Sequence, residues 1–318
     1  MRKIPKVALG TWSWGAGIAG GDTVFGNHLT EAQLSDIFSA GMWEGLNMWD
    51  TAAVYGMGSS ESALGKLIPG FPRDDIILST KFTPQIADGS SAEPVTAMLE
   101  SSLERLGVKY IDLYWIHNPL DVEKWTPGLI PLLRDGRIKR VGVSNHNLSQ
   151  IRRANAILGE AGFSVSAVQN HYSLLYRSSE YAGILDYCRD NSMTFFAYMV
   201  LEQGALSGRY NTTNPMPNGS DRAEKYNPVL PQLEELTNAM ADMGYEKNAS
   251  VAQIAIAWAI SKGAMPLIGA TKVQHVLDAA KASTIVLNND EIKRLESLAD
   301  KTGVDTRGSW EASMELIS

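Results

Sequence analysis

The order of hydrophobic runs predicts an α/β fold, a (β/α)8 barrel with an extra C-terminal helix and long loops over the C-terminal mouth. Three observations lead there. Helix-like and strand-like segments alternate along the chain. The strand-like segments are short apolar runs without period-two patterning, as expected of parallel strands buried on both faces. Eight such runs can be counted, and eight favours closure into a barrel over an open sheet.

The elements follow in order. The first strand covers 7–9, and Gly10-Thr11-Trp12 leaves it. Gly15, Gly17 and Gly20 then match the dinucleotide fingerprint G-x-G-x-x-G, which should open directly into a helix whose N-terminus binds pyrophosphate. The stretch instead runs into Gly21 to Gly26, with two more glycines and no helical periodicity, and so reads as a flexible loop over a site. The first helix signal is Thr30, whose Gln33 completes a capping box. A helix over 30–44 leads to a strand over 46–49, and a helix over 59–68 to a strand over 76–80. A helix over 92–106 places Val95, Leu99, Leu103 and Leu106 on one face. A strand over 111–116, a short helix near 127–134, a strand over 138–143 and a helix over 148–158 come next. A strand over 165–168, a helix over 179–191 and a strand over 193–197 continue the series. The segment 199–228 is rich in Asn, Pro and Gly and reads as a mobile surface loop. Helices over 229–243 and 250–261, the second with a Ser250/Gln253 capping box, precede a strand over 265–268 and a helix over 273–282. A further helix over 289–301 and a tail to Ser318 finish the chain. No linker or low-complexity segment interrupts this series, so residues 1–318 read as a single barrel domain.

Composition narrows the function classes. The single cysteine, Cys188, cannot form an internal disulfide, which points to the reducing cytoplasm. The basic start Met1 to Lys6 is not followed by the apolar core of a signal peptide. The longest nearly apolar run, 251–260, is about half a membrane span. A formal net charge of -7 and the lack of any lysine or arginine run argue against nucleic acid or an anionic membrane as partner. Composition suits a monomer or a homo-oligomer alike.

Barrel active sites lie at the carboxyl ends of the strands. Read in order, those ends carry Thr11-Trp12, Asp50, Lys81, His117, Ser144-Asn145, Gln169-Asn170, Tyr198 and Gly269-Ala270-Thr271. Any one of them has a purely structural explanation, but Asp, Lys and His converging with Tyr55 on one mouth suits proton handling. A cation near a phenol lowers its pKa, and a carboxylate holds that cation charged. The five histidines show no metal-ligand spacing and there is no G-x-S-x-G elbow, so metal-dependent and serine hydrolase chemistries are disfavoured.

Asp50-Thr51-Ala52…Tyr55-Gly56, Ser79-Thr80-Lys81, Asp112 to His117 and Gly142-Val143-Ser144-Asn145 resemble signatures of the aldo-keto reductase superfamily. The likeness extends from Leu9 through Gln169 to Leu174 and on to Leu267 to Ala270. It implies a barrel that binds NADPH (or NADH) without a Rossmann fold and reduces a small-molecule carbonyl. It further implies a catalytic tetrad of Asp50, Tyr55, Lys81 and His117. Tyr55 would be the general acid, Lys81, held by Asp50, would lower its pKa, and His117 would polarise the carbonyl. The resemblance puts Ser144, Asn145 and Gln169 on the nicotinamide amide and Tyr198 on its ring. Leu201, Gly204, Leu206 and Arg209 fall in the pyrophosphate loop. Gly269, Ala270, Thr271, Lys272, His275 and Asp278 fall in the adenosine segment, with Lys272 on the 2′-phosphate, and Thr11, Trp12 and Asp50 complete the set. Met199-Val200, His275 and Ala279 depart from the usual pattern of that family. Trp12, Trp14, Trp115, Trp125 and Trp310 are candidates to line the substrate pocket. The alternative within the superfamily is a cofactor-binding regulatory subunit resembling potassium-channel β-subunits, disfavoured because no long extension precedes Val7.

Overall fold

The computed structural model describes residues 4–308 together with 311 and 314. Eight parallel strands close into a barrel in the order β1 to β8: Ala8–Gly10, Met48–Asp50, Ile77–Phe82, Leu113–Ile116, Val141–Ser144, Val165–His171, Thr194–Tyr198 and Ala264–Gly269. Their outward side chains pack under the surrounding helices. Inside, Ala8, Met48, Ile77, Leu113, Trp115, Ala167, Phe196 and Met265 form a second, separate apolar core. Because side chains alternate along a strand, the residues two further on rise above this plug toward the mouth. Asp50 stands above Met48, Ser79 and Lys81 above Ile77, Gln169 above Ala167 and Tyr198 above Phe196. Register brings Asp50 beside Ser79, Lys81 beside Trp115, and Ser144 beside Gln169. Gly142 makes room for the Trp115 indole, since a Cβ there would lie 2.1 Å from Cε3 of that ring.

The capping boxes expected at Thr30/Gln33 and Ser250/Gln253 are both formed. The extra C-terminal helix runs Asn289–Asp300. Among the described residues no helix is long and apolar enough to cross a membrane.

Three expectations are corrected. The glycine-rich stretch is followed by a helical turn, Gly21–Phe25, because the Asp22 carboxylate accepts from the amides of Gly17 and Thr23. Gly21 is required there, as a Cβ would lie 2.2 Å from the carbonyl oxygen of Ser13. The helix expected over 179–191 breaks at Gly183, which adopts φ 74°, into Ser178–Tyr181 and Ile184–Asp190. Finally, 199–228 is packed against the barrel: it contains a helix, Asp221–Tyr226, and buries Leu206, Tyr210, Met216, Ala223 and Tyr226.

Candidate active site

Asp50 ends β2 and Lys81 lies near the end of β3, so adjacent strands deliver a carboxylate and an ammonium to the same depth. Both side chains are buried, at 1% and 0% exposure, and they form an ion pair. The other donors of Lys81 reach the Thr51 carbonyl oxygen at 2.8 Å and Tyr55 Oη at 3.3 Å. Asp50 Oδ1 accepts from Ser79 Oγ at 2.5 Å and from Trp115 Nε1 at 3.0 Å. An unpaired charge at this depth would be strongly penalised. Here every proton of the ammonium and both carboxylate oxygens have partners. Burial acts to strip the proton from Lys81, but Asp50, with Tyr55, outweighs it and holds the lysine pKa above its ordinary value.

Tyr55 follows β2 on a tight turn. Its oxygen accepts from Lys81, so its own O–H proton is left for another acceptor. Sequence reasoning has Lys81 lowering the phenol pKa, but the net direction is upward. Burial raises it most, Lys81 opposes, and Asp50 adds to the rise. Tyr55 therefore keeps its proton at neutral pH, as a proton donor must.

His117 sits one residue beyond β4, its ring edge-on to Tyr55 with centroids 5.7 Å apart. Its Nδ1 pairs with Thr83 Oγ1 at 2.8 Å, and its Nε2 has no partner among the described residues. Burial, and then the charge of Lys81, push its pKa well below the ordinary value, so the imidazole is neutral at neutral pH. Trp12 stacks on Tyr55 with centroids 5.5 Å apart and donates from Nε1 to the Ala19 carbonyl at 2.9 Å. The loop after β1 thus forms one wall of the mouth.

On the facing wall, Asn145 adopts φ 61°, donates from Nδ2 to the His117 carbonyl at 2.8 Å, and accepts from Tyr198 Oη at 2.6 Å. Ser144 Oγ accepts from the same Nδ2 at 3.2 Å. The neighbouring Gln169 is buried and its Nε2 has no partner among the described residues. An orphaned amide donor beside a serine and an asparagine suits a ligand carboxamide.

The remaining predicted cofactor residues divide. Lys272 and Arg209 are exposed, Trp12, Leu201, Gly204 and His275 half-buried. Burial and then Lys272 lower the His275 pKa, with Asp278 opposing. Its Nδ1 lies 3.3 Å from both N and Oγ1 of Thr271. Asp278 accepts from Gln253 Nε2 at 2.9 Å and Gln274 Nε2 at 3.1 Å. Gly269 is exposed. Leu206 and Ala270 are fully buried, which leaves only their backbones for a ligand. Thr11 follows the end of β1, its amide 2.9 Å from the Asp50 carbonyl oxygen. It is fully buried, with Oγ1 2.9 Å from Ser60 Oγ, and it ties the helix Ser59–Gly65 to β1. Among the tryptophans, Trp14 is buried and donates to the Ala270 carbonyl at 2.7 Å, Trp115 supports Asp50, and Trp125 packs on Phe82. Trp310 lies outside the described residues.

Sequence reasoning missed Ser79 and Trp115 as partners of Asp50, and Thr83 as the partner of His117. Their signal was available, since Ser79 and Thr83 stand two residues either side of Lys81 and Trp115 stands two before His117, on the same faces. It also missed a buried group of His171, Glu202 and Glu311, which has no local signal.

A closed parallel barrel with a fully paired ammonium and carboxylate gathered under a phenol at its carboxyl mouth is a barrel-enzyme scaffold. The chain belongs to the Aldo/keto reductase family, whose sequence model matches residues 6–300. It is similar to the chloroplastic pyridoxal reductase of Arabidopsis thaliana, 29% identical over 314 residues, covering 94% of this chain and 84% of that protein. Among solved structures it resembles a glycerol dehydrogenase from Gluconobacter oxydans, with TM-score 0.81, 24% identity and coverage of 94% and 92% of the two chains. It also resembles an aldo/keto reductase from Klebsiella pneumoniae in complex with NADP and acetate, with TM-score 0.70, 25% identity and coverage of 99% and 96%.

Removing the carboxylate charge tests this electrostatic arrangement. Asp50→Asn leaves a buried ammonium without its counter-charge and turns an amide donor toward Ser79 or Trp115. It should lower unfolding stability in urea at neutral pH by about 3–5 kcal/mol, with part regained in Asp50→Asn/Lys81→Met. An unchanged midpoint would show that the pair is not a buried, mutually dependent one.

Proposed function

We propose that the protein is an NADPH-dependent carbonyl reductase in which Asp50, Tyr55, Lys81 and His117 act together and Tyr55 is the general acid. The observation that carries this reading is the saturated ammonium of Lys81. Its three donors are spent on Asp50, the Thr51 carbonyl and Tyr55, so the phenol oxygen is fixed from below and its own proton is free for a substrate oxygen. When bound, the reduced nicotinamide supplies the hydride.

The chain's own residues supply the rest. Negative charge grows on the carbonyl oxygen as its carbon is reduced, and preorganised donors stabilise that charge. Tyr55 delivers a proton to the oxygen, and Lys81, already bonded to the phenol, stabilises the phenolate left behind. His117, neutral and held through Nδ1, offers Nε2 as a second donor in the tautomer that protonates it. Trp12, stacked on Tyr55 and in edge contact with Phe25, lines one side of the mouth.

The donor set at the facing wall fits a nicotinamide. Ser144, Asn145 and Gln169 would hold the carboxamide and Tyr198 would lie beside the ring. Leu201, Gly204, the backbone of Leu206, and Arg209 would follow the pyrophosphate. Gly269, Ala270, Thr271, His275 and Asp278 would face the adenosine, with Lys272 near the 2′-phosphate. The Klebsiella relative, described in complex with NADP, supports this choice of cofactor. The substrate is a small aldehyde or ketone, and pyridoxal joins any test panel because an Arabidopsis relative is a pyridoxal reductase.

With a carbonyl substrate, Tyr55→Phe should lower kcat by at least about 10²-fold, the scale of general acid catalysis. NADPH affinity should barely change, and near-normal turnover would rule the role out. Lys272 gives a separate test, because the 2′-phosphate is the part of NADPH that NADH lacks. Its backbone caps the helix Val273–Ala282 but its side chain makes no capping bond. Lys272→Ala therefore removes charge and leaves the cap in place. A hydrogen bond to a charged group contributes about 1.5–3 kcal/mol, so NADPH binding should weaken on the order of ten- to a hundredfold, less in high salt. NADH binding should stay nearly unchanged. Equal losses in fluorescence titrations of both cofactors would mean that Lys272 does not read the phosphate.

A further inference from the structure

His171 ends β6, and its side chain is fully buried. Its ring lies between two others, 4.3 Å from Tyr176 and 5.6 Å from Tyr198, centroid to centroid. Each nitrogen meets a carboxylate. Nε2 is 2.9 Å from Glu202 Oε1, and Nδ1 is 2.9 and 3.1 Å from Glu311 Oε1 and Oε2. Ionised carboxylates only accept, so both nitrogens carry protons and the ring is an imidazolium. Burial by itself lowers the pKa of His171, but Glu202 and Glu311 outweigh it and raise the value to about 9. Burial likewise acts to raise the Glu202 pKa, yet His171, Ser173 and Tyr226 hold it below the ordinary value.

The two carboxylates belong to different segments. Glu202 lies in the loop after β7 that carries Leu201, Gly204, Leu206 and Arg209. It also accepts from Ser173, from Tyr226 Oη at 2.8 Å and from Thr306 Oγ1 at 3.1 Å. Glu311 belongs to the tail beyond the last helix, and the tail is held further by Lys225 Nζ, 3.0 and 3.1 Å from the carbonyls of Thr306 and Arg307. Glu311 Oε1 also stands 3.1 Å from Tyr198 Oη, which bonds Asn145. One cation thus joins the end of β6, the loop after β7 and the tail, directly behind the tyrosine of the proposed nicotinamide wall.

We propose that His171 is a positioning residue for the dinucleotide, its imidazolium pinning the 199–209 loop and the C-terminal tail together in one closed arrangement that governs how fast the nucleotide leaves. The inference rests on the cofactor reading above. Without the imidazolium, Glu202 and Glu311 would face each other as buried like charges. That repulsion would loosen the hold of Glu202, and with it the 199–209 loop, on the end of β6. The groups packed around His171 do not replace it. Glu202, Glu311, Tyr176 and Tyr198 meet the ring itself, Ser173 and Tyr226 bond Glu202, and the cations of the neighbouring segments, Arg222, Lys225 and Arg307, act at one remove, on Tyr226, on the tail backbone and on Tyr176. Arg222 donates to the Gln203 carbonyl at 3.0 Å, and Lys225 is spent on the tail backbone.

The test compares NADPH release by stopped flow from wild type, His171→Gln and Glu311→Gln, with single-turnover reduction at saturating NADPH measured alongside. Glutamine keeps one donor and presents one acceptor, so it cannot satisfy both carboxylates. Release should quicken by about tenfold or more in each single variant, and the double variant should be no faster than the faster single, as for residues acting through one contact. Single-turnover rates should stay within about threefold, since the groups at the reacting atoms are untouched. A second readout needs no variant to fold. In protein carrying 15N-histidine, one of the five imidazoles should keep both ring protons at about pH 8. Unchanged or additive release rates, a collapse of single turnover, or five neutral histidines at that pH each overturn the role of His171. A wild-type protein that binds no NADPH overturns the cofactor reading itself.

Discussion

The structure depends on one ion pair placed where solvent cannot help it. Lys81 and Asp50 are fully enclosed by the barrel, and such a pair is tolerable only if each remaining proton and lone pair is satisfied. That requirement explains Ser79 and Trp115 on the carboxylate and the Thr51 carbonyl on the ammonium. It also explains Gly142, whose missing side chain admits the Trp115 ring. Barrel closure then fixes these groups to a rigid register, with Asp50 level with Ser79 and Lys81 with Trp115. The phenol of Tyr55 lies above this pair toward the mouth, and its oxygen is held by the charge beneath. On the proposed reading, proton donation would depend on the buried pair as much as on the tyrosine.

Much of this was legible in the sequence. Eight apolar runs in alternation with helices gave the barrel, because strands buried on both faces must be apolar along their whole length. Each strand end then marked a side chain at the mouth, which singled out Asp50, Lys81 and His117 without knowledge of any contact. What failed was anything set by burial or by long sequence separation. The bond between Thr11 and Ser60, at a separation of 49 residues, has no local signal. The rise of the Tyr55 pKa comes first from burial, which a pairwise view of Lys81 and Tyr55 omits. Residues 199–228 have a loop composition but carry Leu206, Tyr210, Met216 and Tyr226 into the core. Glu202 reads as an ordinary polar loop residue until it and Glu311, which is 140 positions from His171, are seen to meet at the two nitrogens of that ring.

Two buried cations thus stand on opposite walls of one mouth, and they differ in what they hold. Lys81 is bonded to groups on strands and on the turn just after β2, the parts of a barrel least able to move. His171 is bonded to Glu202 in the loop after β7 and to Glu311 beyond the last helix, outside the barrel strands. On the proposed reading, chemistry is assigned to the rigid wall and nucleotide retention to the other one. Asn145 links them, since it bonds the His117 backbone on one side and Tyr198 on the other.

The central claim is that a carbonyl oxygen receives the Tyr55 proton while its carbon receives hydride. It is tested most directly by supplying NADPH deuterated at the transferable position together with an enone, and locating the label in the product by NMR. The expected product is the allylic alcohol, with its double bond intact and the deuterium on the carbinol carbon. A saturated ketone labelled at the β-carbon would contradict that claim.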